Sequence, residues 1–554
     1  MASSGSSLAQ WRILAGLRDY LQRITPALGA VPKAAPKAFE ASESFQSQVN
    51  PHDRVQCTGN PPQNSGTKNE DVVKVEDSPS GSITELQRVL GAVSSYIPLY
   101  FSQIRLHFSK NNEPPVEQKS IPKWKVQKGR ISKSSIDART RFLVKGIGDH
   151  LTEAGRLRKL ESLCKHIRDF PQAKGVAVKQ GGISKLLRIL ERTEDRYVEY
   201  EAREALALLG YTPPVSGHGI RLLTIDGGGV RGLVAIEVLR RIEEEAGQPI
   251  HELFDYICGV STGAILAVLI GAHQQSIDEC EKLYRKLSTQ IFTQTTFQGA
   301  KGLFMKSSYY DSDAWTNILK ANMGEISLIE TARDVDACKL CLVATSANTN
   351  KVQAYLFRNY NLPYRVSSHY QGSSQPQLWE AVRASAAAPG YFSEFKIGDL
   401  IFLDGGIFVN NPTAIALHEA KQLWPDVDLQ CVVSVGTGRH EPIAMINDSS
   451  TFNWATRIRT VVNSATDTEG VHTTMHDLLP GNVYFRFNPY LSDEIGLDEI
   501  GENRLSMMME DTNLYLRKNE LKIQEAVRAL TKAKNPLDKV KDWVDYQRQV
   551  WTVI

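Results

Sequence analysis

Long apolar runs, a large net charge and a cysteine framework are all missing from this sequence of 554 residues. No stretch approaches the ~18 consecutive apolar residues of a membrane-spanning helix, so any contact with lipid would be made at a membrane surface. A formal net charge of +2 argues against a dedicated nucleic-acid-binding protein. The 7 cysteines, an odd number, do not form a disulfide framework and indicate a reducing, intracellular environment. Cys338 and Cys341 have the spacing of a metal or redox pair, but no second pair accompanies them, and we expect both to be buried thiols in a strand.

Acidic residues are scarce at the N-terminus. Residues 1–40 contain five arginines and lysines against Asp19 and Glu40, and they are rich in Ser and Ala. This composition is typical of a mitochondrial transit peptide, although a disordered basic tail has the same composition. Residues 32–81 are rich in Ser, Pro, Asn, Gln and Gly, which predicts a linker. We expect residues 1–134 to be disordered, and the protein to be associated with intracellular membranes, either mitochondrial or of another organelle.

Residues 135–212 follow a helical pattern of apolar positions. Within this segment, residues 182–190 and 200–210 resemble armadillo-type repeats, of which only one or two fit. Because such repeats are stable only when they are stacked, we expect the segment to pack on the neighbouring domain or to bind another protein.

Short β-branched runs alternate with amphipathic helices after residue 214, which is typical of an α/β domain. The pattern predicts strands at residues 221–225, 254–260, 339–346, 400–403 and 431–435, and helices at residues 233–245 and 263–272. We place this domain at residues 218–445. Residues 446–554 are charged and helical in pattern, which predicts an extension that covers the α/β core.

A glycine loop, Asp226-Gly-Gly-Gly-Val-Arg-Gly232, lies between the first predicted strand and a helix. Consecutive glycines let the backbone approach a ligand closely and turn N–H groups towards it, and the helix N-terminus adds positive potential. A dinucleotide-binding loop has the same local pattern, but it needs an acid at the end of the next strand, about twenty residues further on. Here the acids at that distance, residues 243–245, belong to the intervening helix, which disfavours nucleotide binding.

The second predicted strand ends in Gly259-Val260-Ser261-Thr262-Gly263, a G-x-S-x-G sequence. With a strand before it and a helix after it, this pattern predicts a nucleophile elbow, in which the two glycines let the chain turn sharply without a Cβ clash. The Ser261 hydroxyl would then be exposed at a helix N-terminus. A serine hydroxyl is a poor nucleophile until a base takes its proton, so a base has to lie nearby.

The candidate base is Asp404, in the sequence Asp404-Gly405-Gly406 that follows another predicted strand and is closed by Asn410-Asn411-Pro412. The glycines would let the Asp404 carboxylate approach Ser261 closely. A structural turn aspartate is the ordinary interpretation of Asp-Gly by itself. His440 comes after Ser261 and Asp404, which is the chain order of an α/β-hydrolase triad, so a Ser-Asp-His arrangement is the alternative to a Ser-Asp pair.

The glycine loop, the elbow and the Asp-Gly-Gly turn occur in this order, each at a strand end, and the chain resembles the patatin-like phospholipases over residues 222–438. Residues 384–392 and 434–438 are part of the resemblance. It implies an α/β fold, a three-layer sandwich with a mainly parallel central sheet. It also implies hydrolysis of a fatty-acyl ester of a phospholipid at a membrane surface, by a peripherally bound enzyme without a metal ion or another cofactor.

The resemblance further implies the roles of the site residues. Ser261 and Asp404 would form a nucleophile–base dyad without histidine. The oxyanion would be bound by backbone N–H groups of the glycine loop, which comprises Gly227, Gly228, Gly229, Val230, Arg231 and Gly232. The Arg231 side chain would either bind a lipid phosphate or pin the loop through an ion pair. A lipid-binding or scaffold protein with a vestigial site is the competing class, and the intact serine, aspartate and glycines argue against it.

Overall fold

The computed structural model describes residues 131–148, 152–293, 310–440 and 468–551. The predicted transit peptide and linker lie outside the described residues. Among the helices within these ranges, none combines the length and the apolarity needed to cross a membrane. In the same ranges, no three His, Cys, Asp or Glu side chains are grouped so that they could hold a metal ion.

Helices precede the sheet in the described part of the chain. They are α1 Lys133–Gly146, α2 Glu153–Asp169, α3 Lys174–Lys179, α4 Gly182–Arg192 and α5 Arg196–Leu209. Ser132, Thr152 and Asp195 cap α1, α2 and α5, because each side chain accepts a hydrogen bond from a backbone N–H of the first turn. The apolar faces of these helices share a core of their own, in which Leu160 and Leu187 are fully buried.

Buried ion pairs join this helical segment to the α/β domain. Glu204 of α5 is fully buried and accepts hydrogen bonds from Arg168 of α2 and from Nε of Arg333, the latter at 2.8 Å. Arg333 ends a 3₁₀-helix of the α/β domain, Leu328–Arg333. The segment therefore packs on its neighbour, which was one of the two expected outcomes, whereas its armadillo-like character remains a prediction.

Nine strands form one sheet within the described residues. They are β1 Ile220–Ile225, β2 Tyr256–Val260, β3 Lys339–Ser346, β4 Gln353–Arg358, β5 Gln371–Ser373, β6 Phe395–Ile397, β7 Leu400–Asp404, β8 Leu429–Val435 and β9 Tyr484–Phe487. The main order is β5-β4-β3-β2-β1-β8-β9, and the β6–β7 hairpin joins the sheet through β3. Strands β3, β2, β1, β8 and β9 are parallel, whereas β4 and β7 run antiparallel to β3. The sheet is therefore mainly parallel, as predicted.

Helices cover both faces of the sheet. They are α6 Gly232–Ala246, α7 Ile250–Leu253, α8 Thr262–Gly271, α9 Ile277–Phe292, α10 Ser312–Met323, α11 Leu378–Ser385, α12 Thr413–Leu423, α13 Thr468–Leu478, α14 Glu502–Lys518 and α15 Glu520–Leu530. The last helix, α16 Pro536–Trp551, packs instead on α4, and its Val550 lies in the core of the N-terminal helices. Successive residues of a strand point to opposite faces. Leu223 of β1 accordingly lies in one core with α6 and α8, and Leu222 lies in a second core with α12. This arrangement confirms the predicted three-layer α/β fold.

All five strands predicted from the sequence are present, with ends that differ by at most two residues. Cys338 and Cys341 are buried free thiols, as predicted, but only Cys341 lies in a strand, because β3 begins at Lys339. The C-terminal extension is largely helical, but it also contributes β9, whose four residues are buried and pair with β8. The extension therefore completes the sheet as well as covering it. The domain boundaries given above remain a prediction.

Candidate active site

Ser261 lies at the sharp turn between β2 and α8. Its φ of 52° and ψ of −114° place a non-glycine residue in a backbone region that costs about 1–3 kcal/mol. A Cβ on Gly259 would lie 2.1 Å from the Gly263 carbonyl oxygen, and a Cβ on Gly263 would lie 2.2 Å from the Ile225 carbonyl oxygen. Only glycine therefore fits on either side of the turn, and the serine side chain is presented at the N-terminus of α8.

Ser385, the last residue of α11, ties this turn to the central sheet. Its hydroxyl accepts a hydrogen bond from the Ser261 backbone N–H at 2.9 Å and donates one to the Val343 carbonyl oxygen at 2.6 Å. The Ser385 side chain is fully buried. Residues 384–392 were part of the family resemblance, but no role for Ser385 could be predicted from the sequence.

The pairing of β3 explains how Ser261 and Asp404 meet. Strand β2 is parallel to β3 and ends with Val260 opposite Val343. Strand β7 is antiparallel to β3 and ends with Asp404 opposite Ala344, the very next residue. Since β4 occupies the other edge of β3, strands β2 and β7 approach each other end to end along one edge. The residue that follows Val260 therefore meets the last residue of β7.

The Asp404 carboxylate accepts a hydrogen bond of 2.7 Å from the backbone N–H of Gly406, and it lines the same cleft as Ser261. Burial raises the pKa of Asp404 to about 6, and the neighbouring Ser261 side chain and the Gly406 N–H oppose that rise. Thr345 Oγ1 donates to the Asp404 carbonyl oxygen at 2.8 Å, and a Cβ on Gly405 would lie 2.1 Å from a β3 carbonyl oxygen. The turn is thus packed directly on the sheet. Its carboxylate is more basic than a solvated one, yet it is ionised at neutral pH.

The glycine loop places backbone N–H groups beside Ser261. Four of them have protein acceptors, namely Gly227 with Asn410 Oδ1 at 3.1 Å, Val230 with the Leu497 carbonyl at 2.8 Å, Arg231 with the Gly228 carbonyl at 3.2 Å, and Gly232 with the Gly229 and Val230 carbonyls. The N–H groups of Gly228 and Gly229 have no protein acceptor within the described ranges. Both glycines line the same cleft as Ser261. These two donors are therefore the ones available to a ligand.

The Arg231 side chain also lines the cleft. Its Nε donates to the Gly228 carbonyl oxygen at 3.3 Å, and no carboxylate of the described residues lies within ion-pair distance of it. Burial lowers the pKa of the Arg231 guanidinium. The ion pair that does hold the start of the loop joins Asp226 to Arg486 through two hydrogen bonds of 3.0 and 2.6 Å, and both side chains are buried.

The cleft that opens beside Ser261 and Asp404 has a volume of about 1030 Å³, counted out to solvent. Its wall is mainly apolar, with side chains from α8, α9, α10 and the loops that follow α11 and Asp404. The larger apolar residues are Ile265, Leu287, Ile291, Phe292, Trp315, Pro389, Phe392, Ile407 and Leu497. An extended hydrocarbon group is the kind of ligand that such a wall fits.

His440 is exposed and does not line this cleft. The groups that oppose the raised pKa of the Asp404 carboxylate are the Ser261 side chain and the Gly406 N–H, and no histidine is among them. The structure thus brings together Ser261, Asp404 and the glycine loop, and it leaves His440 outside.

Comparisons with known proteins agree with this geometry. The family model for patatin-like phospholipases matches residues 223–417, which include the glycine loop, the elbow and Asp404. The chain is 44% identical to calcium-independent phospholipase A2-gamma of Homo sapiens, over 76% of this chain and 54% of the human protein. It is 42% identical to the protein of the same name in Rattus norvegicus, over 80% of this chain and 58% of the rat protein. The chain thus spans little more than half the length of these relatives.

More distant matches were found as well. Phospholipase A I of Arabidopsis thaliana is 28% identical over 64% of this chain and 33% of the plant protein. The solved structure of human GIVD cytosolic phospholipase A2 matches with 12% identity and a TM-score of 0.31, over 65% of this chain and 64% of that chain. The family match and the identity to the gamma-type proteins confirm the resemblance seen in the sequence, and residues 223–417 form a patatin-like phospholipase domain.

Proposed function

We propose that this chain is a lipid acyl hydrolase that converts a glycerophospholipid into a free fatty acid and a lysophospholipid, without calcium. The observation that carries the proposal is the placement of Ser261, at the strand-to-helix turn, beside the buried Asp404 carboxylate in one apolar cleft. The names of the similar proteins, which include calcium-independent phospholipase A2-gamma and Phospholipase A I, support the same substrate class.

The reaction proceeds through an acyl-enzyme. Asp404 accepts the proton of the Ser261 hydroxyl as the oxygen attacks the ester carbonyl carbon. The tetrahedral intermediate collapses, the carbon–oxygen bond to the glycerol breaks, and protonated Asp404 returns its proton to the departing lysophospholipid alcohol. Water then attacks the acyl-enzyme, with Asp404 again as the base, and releases the fatty acid. No step of this sequence requires a metal ion.

The Gly228 and Gly229 N–H groups are the proposed oxyanion donors. They line the cleft beside Ser261 and have no acceptor in the described part of the protein. The loss of one such donor typically costs about 3 kcal/mol of transition-state stabilisation. Of the six glycine-loop residues that the family resemblance implicates, these two support the oxyanion role best, because the other four N–H groups already have acceptors.

Arg231 is the proposed contact for the phosphate of the lipid headgroup. It lines the cleft and has no carboxylate partner among the described residues, so its charge is available to an anion. If this is correct, Arg231→Met raises KM for phospholipids much more than for an uncharged short-chain ester. An equal loss on both substrates would contradict the headgroup role and favour a role in holding the loop.

A covalent probe tests the proposal directly. A fluorophosphonate with a long alkyl chain is expected to label the wild-type chain at Ser261, and to label neither Ser261→Ala nor the heat-unfolded protein. Phospholipids labelled separately at each acyl position then identify the product, in the presence of a chelator. Absence of labelling, or a turnover that disappears with chelator and returns with calcium, would contradict the proposal.

We also propose that the substrate is met at an intracellular membrane to which the protein binds peripherally. The support is the substrate class itself and the basic, acid-poor composition of residues 1–40. A fluorescent protein fused behind residues 1–40 is expected to enter mitochondria, and a diffuse signal would contradict the mitochondrial location. Binding of a protein partner to the free faces of α1 to α5 remains a prediction.

A further inference from the structure

Two polar side chains hold the backbone of Gly227, at the start of the glycine loop, by hydrogen bonds. The side-chain amide of Asn410 makes two hydrogen bonds to Gly227. Its Oδ1 accepts from the Gly227 N–H at 3.1 Å, and its Nδ2 donates to the Gly227 carbonyl oxygen at 3.3 Å. Thr437 Oγ1 donates to the same carbonyl oxygen at 2.9 Å, and the Thr437 side chain is buried. We propose that Asn410 and Thr437 are positioning residues that aim the Gly228 N–H at the oxyanion, an inference that rests on the proposed function.

Because the peptide bond is planar, the hydrogen bonds that fix the Gly227 carbonyl also fix the direction of the Gly228 N–H. The Gly227 carbonyl and the Gly228 N–H belong to one rigid trans peptide and point in opposite directions. Two donors hold the carbonyl on the side of Asn410 and Thr437, so the Gly228 N–H faces the other way. A peptide between two glycines would otherwise rotate at little cost, because glycine occupies most backbone conformations readily. The hydrogen bonds from Asn410 and Thr437 thus restrict the rotation of a peptide that the two glycines would otherwise leave free.

The next peptide of the loop is held by the same principle. The Gly228 carbonyl oxygen accepts from the Arg231 backbone N–H at 3.2 Å and from Arg231 Nε at 3.3 Å. The Gly229 N–H, on the same peptide, therefore points away from Arg231. Each candidate oxyanion donor is thus aimed by hydrogen bonds to the carbonyl directly before it.

Asn410 also connects two parts of the site. It lies in the loop that follows Asp404, and its Oδ1 would be 3.0 Å from a Cβ placed on Gly406. The loop that carries the proposed base and the loop that carries the proposed oxyanion donors are therefore in direct contact. A change at Asn410 is expected to disturb both, whereas Thr437 acts on the glycine loop alone. Thr437 is for this reason the cleaner position for a test.

The test compares Thr437→Val, which removes the hydroxyl and keeps the shape, with Thr437→Ser, which keeps the hydroxyl. Thr512→Val is the matched control, because Thr512 is also buried and its Oγ1 also donates to a backbone carbonyl, that of Met508 at 2.7 Å, but within α14. We expect Thr437→Val to lower kcat for phospholipid at least about tenfold with KM nearly unchanged, since a misaimed donor loses part of its effect on the transition state. Thr437→Ser is expected to restore most of kcat. The thermal midpoints of Thr437→Val and Thr512→Val are expected to be similar.

A second measurement separates aiming from a structural role. A trifluoromethyl ketone with an alkyl chain forms a hemiketal with Ser261 whose oxygen occupies the oxyanion position. Its affinity is expected to fall in Thr437→Val by about the factor lost in kcat/KM, as for other transition-state analogues. Asn410→Asp, which keeps the Oδ acceptor and loses the Nδ2 donor, is expected to show the same correlation.

Equal kcat and equal ketone affinity for Thr437→Val and Thr437→Ser would overturn the positioning role. A fall in thermal midpoint that accounts for the lost activity, with ketone affinity unchanged, would overturn it as well. If the wild-type chain hydrolyses no phospholipid, the proposed function fails, and the ketone affinities of the variants still decide whether Thr437 aims the Gly228 N–H.

Discussion

Replacing Asp404 with asparagine is expected to abolish turnover and to stabilise the fold at neutral pH. Asparagine keeps an oxygen that can accept from Ser261 and Gly406, but it cannot take a proton. The ionised carboxylate is unfavourable in the folded protein, because burial raises its pKa from 3.8 to about 6. Each pKa unit corresponds to about 1.4 kcal/mol, so the shift of roughly two units predicts a gain of up to about 3 kcal/mol in unfolding free energy.

The sign and the pH window follow from the raised pKa. Between about pH 4 and pH 6 the folded state binds more protons at Asp404 than the unfolded state does. The stability that protonated Asp404 contributes is therefore complete below about pH 4 and is lost as the pH rises through about 6. The advantage of Asp404→Asn over the wild type should be small at pH 4 and largest above pH 7. Turnover of the wild type should fall below about pH 6, where the proposed base becomes protonated.

Urea unfolding of both proteins near pH 4.5 and near pH 7.5 measures this difference. Asp399→Asn is the control, because Asp399 is exposed in the turn between β6 and β7 and its replacement should change stability by less than about 0.5 kcal/mol. The reasoning is refuted if Asp404→Asn is no more stable than the wild type near pH 7.5. It is also refuted if the gain is the same at both pH values, or if the variant keeps its activity.

Three further substitutions test the strain and the packing of the fold, each by urea unfolding. Ser261→Gly should be inactive and about 1 kcal/mol more stable than the equally inactive Ser261→Ala, because glycine accepts the φ of 52° without strain; equal stabilities would argue against stored strain. Gly263→Ala should lower the free energy of unfolding by about 3 kcal/mol, because the added Cβ would lie 2.2 Å from a β1 carbonyl oxygen. Gly481→Ala is the control and should change stability little, because a Cβ there would have no atom within 4 Å. Similar losses of stability in the two variants would contradict the close approach at Gly263. Glu204→Ala should lower the free energy of unfolding by about 2 kcal/mol, because it removes a fully buried carboxylate from two arginines. The control Glu199→Ala, at a half-exposed ion pair, should lower it by about 0.5 kcal/mol. A larger loss for Glu199→Ala than for Glu204→Ala would exclude a stabilising role for the buried ion pairs.

Local patterns account for the features that could be predicted from the sequence. The elbow needs only a strand, a helix and two glycines within a few residues, so Gly259 and Gly263 identify it without knowledge of the rest of the fold. The predicted ends of strand β3 match those observed, because seven of its eight residues form one buried run at the centre of the sheet. Strand β9 was not predicted, because four residues are too few to show the alternating apolar pattern of a strand. It forms a strand by pairing with β8, which is distant in the sequence.

Contacts between distant segments account for the features that could not be predicted. Nothing near Val230 in the sequence shows that its N–H is taken by the carbonyl of Leu497, in the C-terminal extension, so all six amides of the glycine loop looked equivalent. The same holds for Ser385, Asn410 and Thr437, which act on backbone groups more than a hundred residues away. Their motifs indicated a family, but only the folded chain shows which carbonyl or N–H each side chain holds.

The register on β3 gives a physical reason why a carboxylate can contact the serine without a histidine between them. Strands β2 and β7 end at adjacent positions along one edge of β3, Val343 and Ala344, so the residue that follows β2 lies beside the last residue of β7. The same closeness buries the carboxylate, and burial raises its pKa to about 6, which supplies part of the basicity that an imidazole provides in a triad. A slip of β7 by one residue would turn Asp404 to the opposite face of the sheet. The hydrogen bond from Thr345 and the contact of Gly405 with β3 oppose such a slip, so the register that defines the fold also sets the strength of the proposed base.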